Sequence, residues 1–167
     1  MKRTMLLAAL LLPTAAAKST AIRTLMTGSG GQIKLTADIF MVIKRTSAGN
    51  PLMLGVGNAS GSGSRISTLS VFAFKEYLTP DELDLFSKNV VRVALTCFNL
   101  LPERSAAIIT WLNQQNTSIF KKVATGFGPM TLIFQRDLLS DGQFYTSVVL
   151  TRSGTPGVAP WTNDCTR

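Results

Sequence analysis

TPDELDLFSKNVVRVALTCFNLL, residues 79–101, is the stretch of sequence that decides the fold. Its first residues carry the features of a helix start: Thr79 can cap the first turn, Pro80 suits the first helical position, and Glu82 stands where a capping box needs a carboxylate. Apolar side chains then recur at spacings of three and four residues, as on one face of an amphipathic helix. Pro102 follows and cannot continue the helix. The pattern predicts one long helix over residues 79–101 with a buried face.

Strand patterns lie on both sides of this helix. Three strands are predicted before it and two after it, at residues 32–43, 52–56, 66–74, 130–135 and 144–150. A second helix is predicted over 103–115, and Asp141-Gly142 suits the hairpin turn between the last two strands. The order β-β-β-α-α-β-β predicts an α+β fold, a two-layer sandwich in which two helices cover one face of an antiparallel sheet of about five strands.

The first 17 residues have the composition of a secretory signal peptide. Lys2-Arg3 provides a positively charged start, an apolar run follows over 5–12, and Ala15-Ala16-Ala17 fits the small-residue rule of signal peptidases. The predicted mature chain begins at Lys18, and a bacterial-type signal predicts a secreted or periplasmic protein. An uncleaved anchor or a buried first helix is the alternative. The apolar run is far shorter than the roughly 20 residues of a membrane-spanning helix, so no transmembrane span is expected in the mature chain.

The two cysteines, Cys97 and Cys165, are predicted to form a disulfide, because an even number of cysteines in an exported chain favours pairing. The bond would tie an irregular Gly/Pro-rich tail, residues 153–167, to the end of the long helix. A buried free Cys97 and a frayed tail is the alternative. With a flexible lead-in over 18–31, this division leaves a single α+β domain over 32–152.

Composition excludes several classes of catalytic and metal site. The chain of 167 residues contains no histidine and only two cysteines. This rules out histidine-based zinc sites, Ser-His-Asp and Cys-His catalysis, and any metal site that needs four cysteines. The nine acidic residues are scattered, and no Ser-x-x-Lys motif begins a helix. We therefore expect no metal, no cofactor and a non-catalytic protein; a hydrolase that lacks histidine is the third alternative for its function.

The charge of the chain is strongly positive. The formal net charge of +8 becomes +6 once Lys2 and Arg3 leave with the predicted signal peptide. The mature chain has no long basic run and no aromatic residues interleaved with basic ones, so nucleic acid is not expected as a partner. A solvated basic surface is the simplest interpretation of the charge. If the charge has a role, a protein or an anionic envelope component is the expected partner.

Two leading hypotheses for function follow. The first is an exported, non-catalytic α+β domain that binds a protein or an anionic envelope component through its sheet face or loops. The second is a carrier of a small apolar ligand held between the helices and the sheet. A phenylalanine-lined pocket would favour the carrier, whereas a filled core with an exposed apolar or basic patch would favour the binding domain. The candidate contact residues are Phe40, Phe72, Phe74, Trp111, Lys121, Lys122 and Phe134.

Overall fold

The computed structural model describes residues 17–46 and 49–167 of the chain. The predicted signal peptide, including Ala15 of its cleavage site, lies outside the described residues except for Ala17. Among the helices of the described ranges, none has the length and apolar character needed to cross a membrane.

Nine strands and three α-helices make up the described part of the chain. The strands are β1 (Lys18–Ala21), β2 (Gln32–Thr36), β3 (Ile39–Arg45), β4 (Pro51–Ser60), β5 (Thr68–Ala73), β6 (Lys122–Phe127), β7 (Met130–Leu138), β8 (Phe144–Arg152) and β9 (Asn163–Thr166). The helices are α1 (Ile22–Met26), α2 (Pro80–Cys97) and α3 (Ser105–Thr117), and a short 3-10 turn at Pro102–Arg104 precedes α3.

Strands β2 to β8 form one sheet in the order β2-β3-β4-β5-β8-β7-β6. The chain meanders from the β2 edge to β5, passes through α2 and α3 to the opposite edge at β6, and meanders back to β8, which lies beside β5. Each neighbouring pair in this sheet is antiparallel. A separate parallel pair joins β1 to β9. The predicted α+β class with an antiparallel sheet is confirmed.

One face of the sheet packs against α2 and α3. Alternate residues of the central strands point to this face, and Val71, Val148 and Phe134 are at most 2% exposed. Phe86 of α2 and Ile108 of α3 are buried to the same degree in the layer opposite. These residues belong to one continuous cluster of buried apolar side chains. The space between helices and sheet is therefore filled by the protein itself.

The start of α2 has the predicted capping box. The Glu82 amide donates to Thr79 Oγ1 at 3.5 Å, and the Thr79 amide donates to Glu82 Oε2 at 2.9 Å. Lys75 Nζ lies 2.6 Å from Glu82 Oε1. Burial alone would raise the pKa of Glu82, but the hydrogen bonds from Lys75 and Thr79 outweigh burial and hold that pKa below its usual value. Glu82 therefore stays ionised and fixes the residue at which α2 begins.

Helix α2 ends at Cys97, four residues before the predicted end. Asn99 has a positive φ of 52°, a left-handed conformation that asparagine tolerates better than most residues. Its side-chain oxygen accepts hydrogen bonds from the Asn163 amide at 2.7 Å and from Thr162 Oγ1 at 3.2 Å. The end of α2 is thus associated with contacts to the distant tail as well as with the local sequence before Pro102.

The C-terminal tail is fixed against the end of α2. The predicted disulfide between Cys97 and Cys165 is present, with Cα atoms 4.6 Å apart. The Trp161 indole donates to the Cys97 carbonyl at 2.9 Å. The buried Arg152 guanidinium donates to the Phe98 carbonyl at 2.6 Å and lies 5.2 Å from the centre of the Trp161 ring. We call this end of the molecule, where the tail meets α2, the closed end.

The sheet is larger than predicted because two strands lie outside the predicted pattern. Residues 32–43, predicted as one strand, fold back on themselves as β2 and β3. The turn between them contains Ala37, whose φ is 51°, and Asp38. Alanine is a weak turn signal, so the continuous alternation conceals the hairpin. Strand β6 is the second addition, and the sheet has seven strands in place of the expected five or so.

The two segments expected to be irregular contain regular structure and pair with each other. The predicted flexible lead-in, residues 18–31, contains β1 and α1. The tail, residues 153–167, contains β9, which runs parallel to β1. Ser19 Oγ donates to Asp164 Oδ2 across this pair at 3.2 Å. Strands β1 and β9 are each four residues long and mostly polar. Their pairing is therefore a long-range contact that local periodicity does not reveal.

Reduction of the disulfide should destabilise the protein. The bond joins residues 68 positions apart, and closing a loop of that size in the unfolded chain is worth about 4 kcal/mol in the chain-entropy model. We expect urea denaturation in the presence of a reductant to give a free energy of unfolding lower by about that amount. The Cys97→Ala/Cys165→Ala double variant should show no difference with and without reductant. Two reactive thiols in unreduced, denatured protein would contradict the prediction.

Glu82→Gln should lower the free energy of unfolding by roughly 1 kcal/mol at neutral pH, since it removes a charged partner from Lys75 and Thr79. Because the pKa of Glu82 is lowered in the folded state, its contribution is complete above the unfolded pKa and is lost as pH falls through the folded pKa. Denaturation curves should therefore show the gap between variant and wild type closing in acid. Asp81→Asn, at an exposed carboxylate of the same helical turn, is the control. A gap that stays constant with pH would refute this account.

Candidate functional site

The sheet has one end that lies away from the closed end. The register places the ends of four strands side by side there: Ala73 pairs with Thr146, Leu138 with Phe144, and Lys122 with Gln135. The segments that follow β5 and α3 return to the sheet at the same place. We call this the open end, because no tail covers it in the described part of the chain.

Large apolar side chains gather at the open end. Ile119 and Phe120 protrude furthest, with 86% and 65% of their surface exposed. A concentration of exposed apolar side chains in one region of a protein marks a candidate contact site. The open-end surface consists of eight side chains, each at least 36% exposed: Met53, Phe74, Tyr77, Ile119, Phe120, Leu138, Leu139 and Phe144.

Arg136 connects two segments of the open end from the helix-facing side of the sheet. It lies on the helix-facing side of β7 and is only 3% exposed. Its guanidinium donates to the Glu76 carbonyl at 2.6 Å and to the carbonyls at the end of α3, including Ser118 at 2.9 Å. The Tyr77 ring packs over the same guanidinium, 4.1 Å from ring centre to Cζ. One buried cation therefore connects the segment that carries Tyr77 to the segment that carries Ile119 and Phe120.

Further buried hydrogen bonds support these two segments. The Asn116 side chain makes a reciprocal pair with the backbone of Leu78, accepting from its amide and donating to its carbonyl, both at 2.9 Å. Thr146 Oγ1 donates to the Glu76 carbonyl at 2.7 Å. A buried polar group that is fully bonded restrains the backbone around it. The backbone that carries the protruding side chains of the open end is therefore held in place.

Two lysines lie beside the protruding apolar residues. Lys121 and Lys122 are exposed at the start of β6, and the Arg136 amide donates to the Lys121 carbonyl at 2.7 Å. Among the described residues, the ion pairs present involve neither lysine. Asp137 and Asp141 of the neighbouring hairpin accept backbone hydrogen bonds within it, from Leu138 and Gln143. The lysine charges are thus available to a partner.

The face of the sheet opposite the helices contains a groove next to the open end. It has a volume of about 350 Å³ and opens to solvent. Phe72 and Phe74 form its aromatic part, with ring centres 5.5 Å apart and planes at 74°. The ten residues that line it include no charged side chain: Ile39, Asn58, Ser70, Phe72, Phe74, Gln135, Leu139, Tyr145, Ser147 and Val149.

Two glycines and a bulge in β4 shape this groove. A Cβ atom at Gly55 would overlap the Phe72 ring, and one at Gly57 would lie 2.9 Å from Ile39 Cγ1. The register between β4 and β5 shifts directly after Gly57. Asn58 has a φ of 53° at this irregularity and lines the groove. Bulges of this kind redirect side chains at binding sites.

The structure does not bring the predicted contact residues together. Phe40, Trp111 and Phe134 are at most 8% exposed in the core cluster on the helix side, and Phe40 also reaches a separate groove beside β1. Phe72 and Phe74 lie on the opposite face. The sheet separates the phenylalanines, which corrects the idea of one pocket lined by all four. Of the predicted set, Phe74, Lys121 and Lys122 reach the open-end region as exposed side chains.

Arg136 is not among the predicted site residues, although the sequence contains a signal for it. Met130, Leu132 and Phe134 alternate along β7 towards the core, and Arg136 is the next residue of that parity. A charged residue that continues an apolar parity is expected to be buried with partners. Arg152 continues the parity of Val148 and Leu150 on β8 in the same way.

The described ranges contain no group of three or more cysteine, aspartate or glutamate side chains placed to hold a metal ion. The candidate sites are therefore described by shape, apolar surface and uncharged polar groups. Comparison of the chain with protein-family models, with curated protein sequences and with solved structures finds no match.

Proposed function

We propose that this chain is an exported, non-catalytic binding module that engages a protein or an anionic envelope component through its open end. The observation that carries the proposal is the concentration of exposed apolar side chains at one end of the sheet, on a base fixed by Arg136. The exposed and rigid arrangement suits a partner surface, because side chains already held in place lose less entropy on binding.

The charge next to this surface supports an anionic partner. Lys121 and Lys122 follow Ile119 and Phe120 directly, so cationic groups flank the apolar tip. Lysines beside exposed aromatic and aliphatic side chains suit the boundary between anionic headgroups and apolar chains, and they also suit an acidic protein with an apolar centre. The predicted net charge of the mature chain is positive, like the charges of these two lysines.

The filled core favours the binding module over the carrier of an apolar ligand. The large side chains between helices and sheet, such as Phe86, Phe98 and Leu132, are at most 1% exposed and pack against one another. The grooves of about 350 to 670 Å³ among the described residues open to solvent. A carrier needs an enclosed apolar space, whereas a docking module needs an exposed apolar patch.

Contact at the open end can be tested in the producing cell. A photo-crosslinking residue placed at Phe120 should form adducts with the partner, and the same residue at Val158, which is 57% exposed at the other end of the molecule, should form few. Mass spectrometry of the adducts distinguishes a protein from an envelope lipid or polymer. Equal adduct formation at the two positions, or none at Phe120, would refute the proposal.

The anionic arm of the proposal predicts a charge dependence. Binding to vesicles of phosphatidylglycerol and phosphatidylethanolamine, measured by co-sedimentation, should weaken as salt is added, because exposed charges are screened beyond about 10 Å at 0.1 M salt. Lys121→Glu/Lys122→Glu should weaken it by tenfold or more, since about 1 kcal/mol is at stake for each lysine near an anionic surface. Lys34→Glu/Lys44→Glu makes the same charge change near the opposite edge of the sheet and should have a smaller effect. If the two double variants weaken binding equally, the net charge of the protein and not the lysine pair attracts the vesicles. Binding that does not depend on salt would contradict an anionic partner.

A further inference from the structure

The uncharged groove contains five polar side chains that lack partners within the protein. Asn58, Ser70, Gln135, Tyr145 and Ser147 all line it. None of the five makes a side-chain hydrogen bond among the residues that the structure describes, whereas Asn89, Asn99 and Asn116 elsewhere in the molecule all do.

Two of these side chains are nearly buried. Ser70 is 7% exposed and Ser147 is 5% exposed, and both stand on the face that the helices leave uncovered. Polar groups with so little access to solvent are normally hydrogen-bonded within the protein or to ordered water. Both serines line the open groove, so their hydroxyl groups are available to an incoming molecule.

The groove combines these polar groups with an aromatic wall. Phe72 and Phe74 meet edge to face, and Phe74 is 38% exposed. The five side chains supply hydroxyl and amide groups, which can both donate and accept hydrogen bonds. A ligand that matches this lining is uncharged, has many hydroxyl or amide groups and presents a C–H face to an aromatic ring.

We propose that the groove binds a neutral saccharide. A pyranose ring has hydroxyl groups around its rim and C–H groups on its faces, so it can use both parts of the lining. The lining itself has no cationic side chain to bind an anionic ligand, although Lys122 pairs with Gln135 at its margin. A purely apolar ligand would leave the five polar groups unpaired, which is costly. The groove lies on the face of the sheet, whereas an extended peptide pairs with a strand edge.

This site goes beyond the proposed function, because it lies on the sheet face rather than on the protruding tip. The two surfaces meet at Phe74 and Leu139, which belong to both. An envelope component made of sugar could lie in the groove while the open end contacts a neighbouring anionic or protein surface. Lys122 pairs with the groove residue Gln135, whereas Ile119 and Phe120 of the protruding tip do not line the groove. Changes at the tip therefore separate the two proposals.

The proposal can be tested by titrating isotope-labelled protein, purified from its producing cell, with neutral malto-, cello- and chito-oligosaccharides. We expect one of these classes to shift the amide signals of Ser70 and Ser147. Gln135→Ala and Tyr145→Phe should each raise the dissociation constant about five- to tenfold, the cost of one or two hydrogen bonds. Val158→Ala removes an exposed apolar side chain at the closed end, far from the groove, and should leave the constant unchanged.

Several results would overturn the proposal. Failure of all three neutral classes to shift the groove signals is one, and unchanged affinity in both Gln135→Ala and Tyr145→Phe is another. Tighter binding of oligogalacturonate, an anionic saccharide, than of the neutral probes is a third. Ile119→Ser/Phe120→Ser should keep its saccharide affinity within twofold while losing vesicle binding, so either proposal can fail while the other stands.

Discussion

Two buried arginines attach the helices to the sheet, and the rest of the structure depends on that attachment. A helix ends in carbonyl groups without partners and with partial negative charge, and burying them unpaired is costly. Arg136 on β7 donates to carbonyls at the end of α3, and Arg152 on β8 donates to the Phe98 carbonyl at the end of α2. The two guanidinium groups enter the layer from opposite ends of adjacent strands, so each helix is held at its C-terminal end.

The part of the fold that the sequence predicts is the part governed by short-range patterns. The capping signals at Thr79 and the apolar stripe of α2 are local, and the structure contains both. The hairpin at Ala37 contains no glycine or proline, which are the strongest turn signals, so the sequence of its two strands has the pattern of one long strand. The parallel pairing of β1 with β9 and the contacts of Asn99, just beyond the end of α2, involve residues far apart in the chain, which periodicity does not reveal.

The sequence predicts only some residues of the candidate sites, namely those whose exposure follows from their charge. Lys121 and Lys122 stood out as a basic pair and are exposed as expected. The phenylalanines did not separate by sequence, because strand parity shows that two faces exist but does not say which face the helices cover. Phe40 and Phe134 face the helices, whereas Phe72 and Phe74 face away. The groove also depends on Gly57 and the bulge beside it, which appear only once β4 and β5 are aligned.

The parallel pairing of β1 with β9 has a consequence for how the molecule can be presented. It places both ends of the described chain together, next to the Cys97–Cys165 bond and on the side away from Ile119 and Phe120. A tether, reporter or immobilising tag attached beside β1 or β9 would therefore leave the protruding side chains directed outwards. Surface immobilisation beside β1 or β9 should orient the molecule, while immobilisation through Lys121 or Lys122 would mask the surface under study.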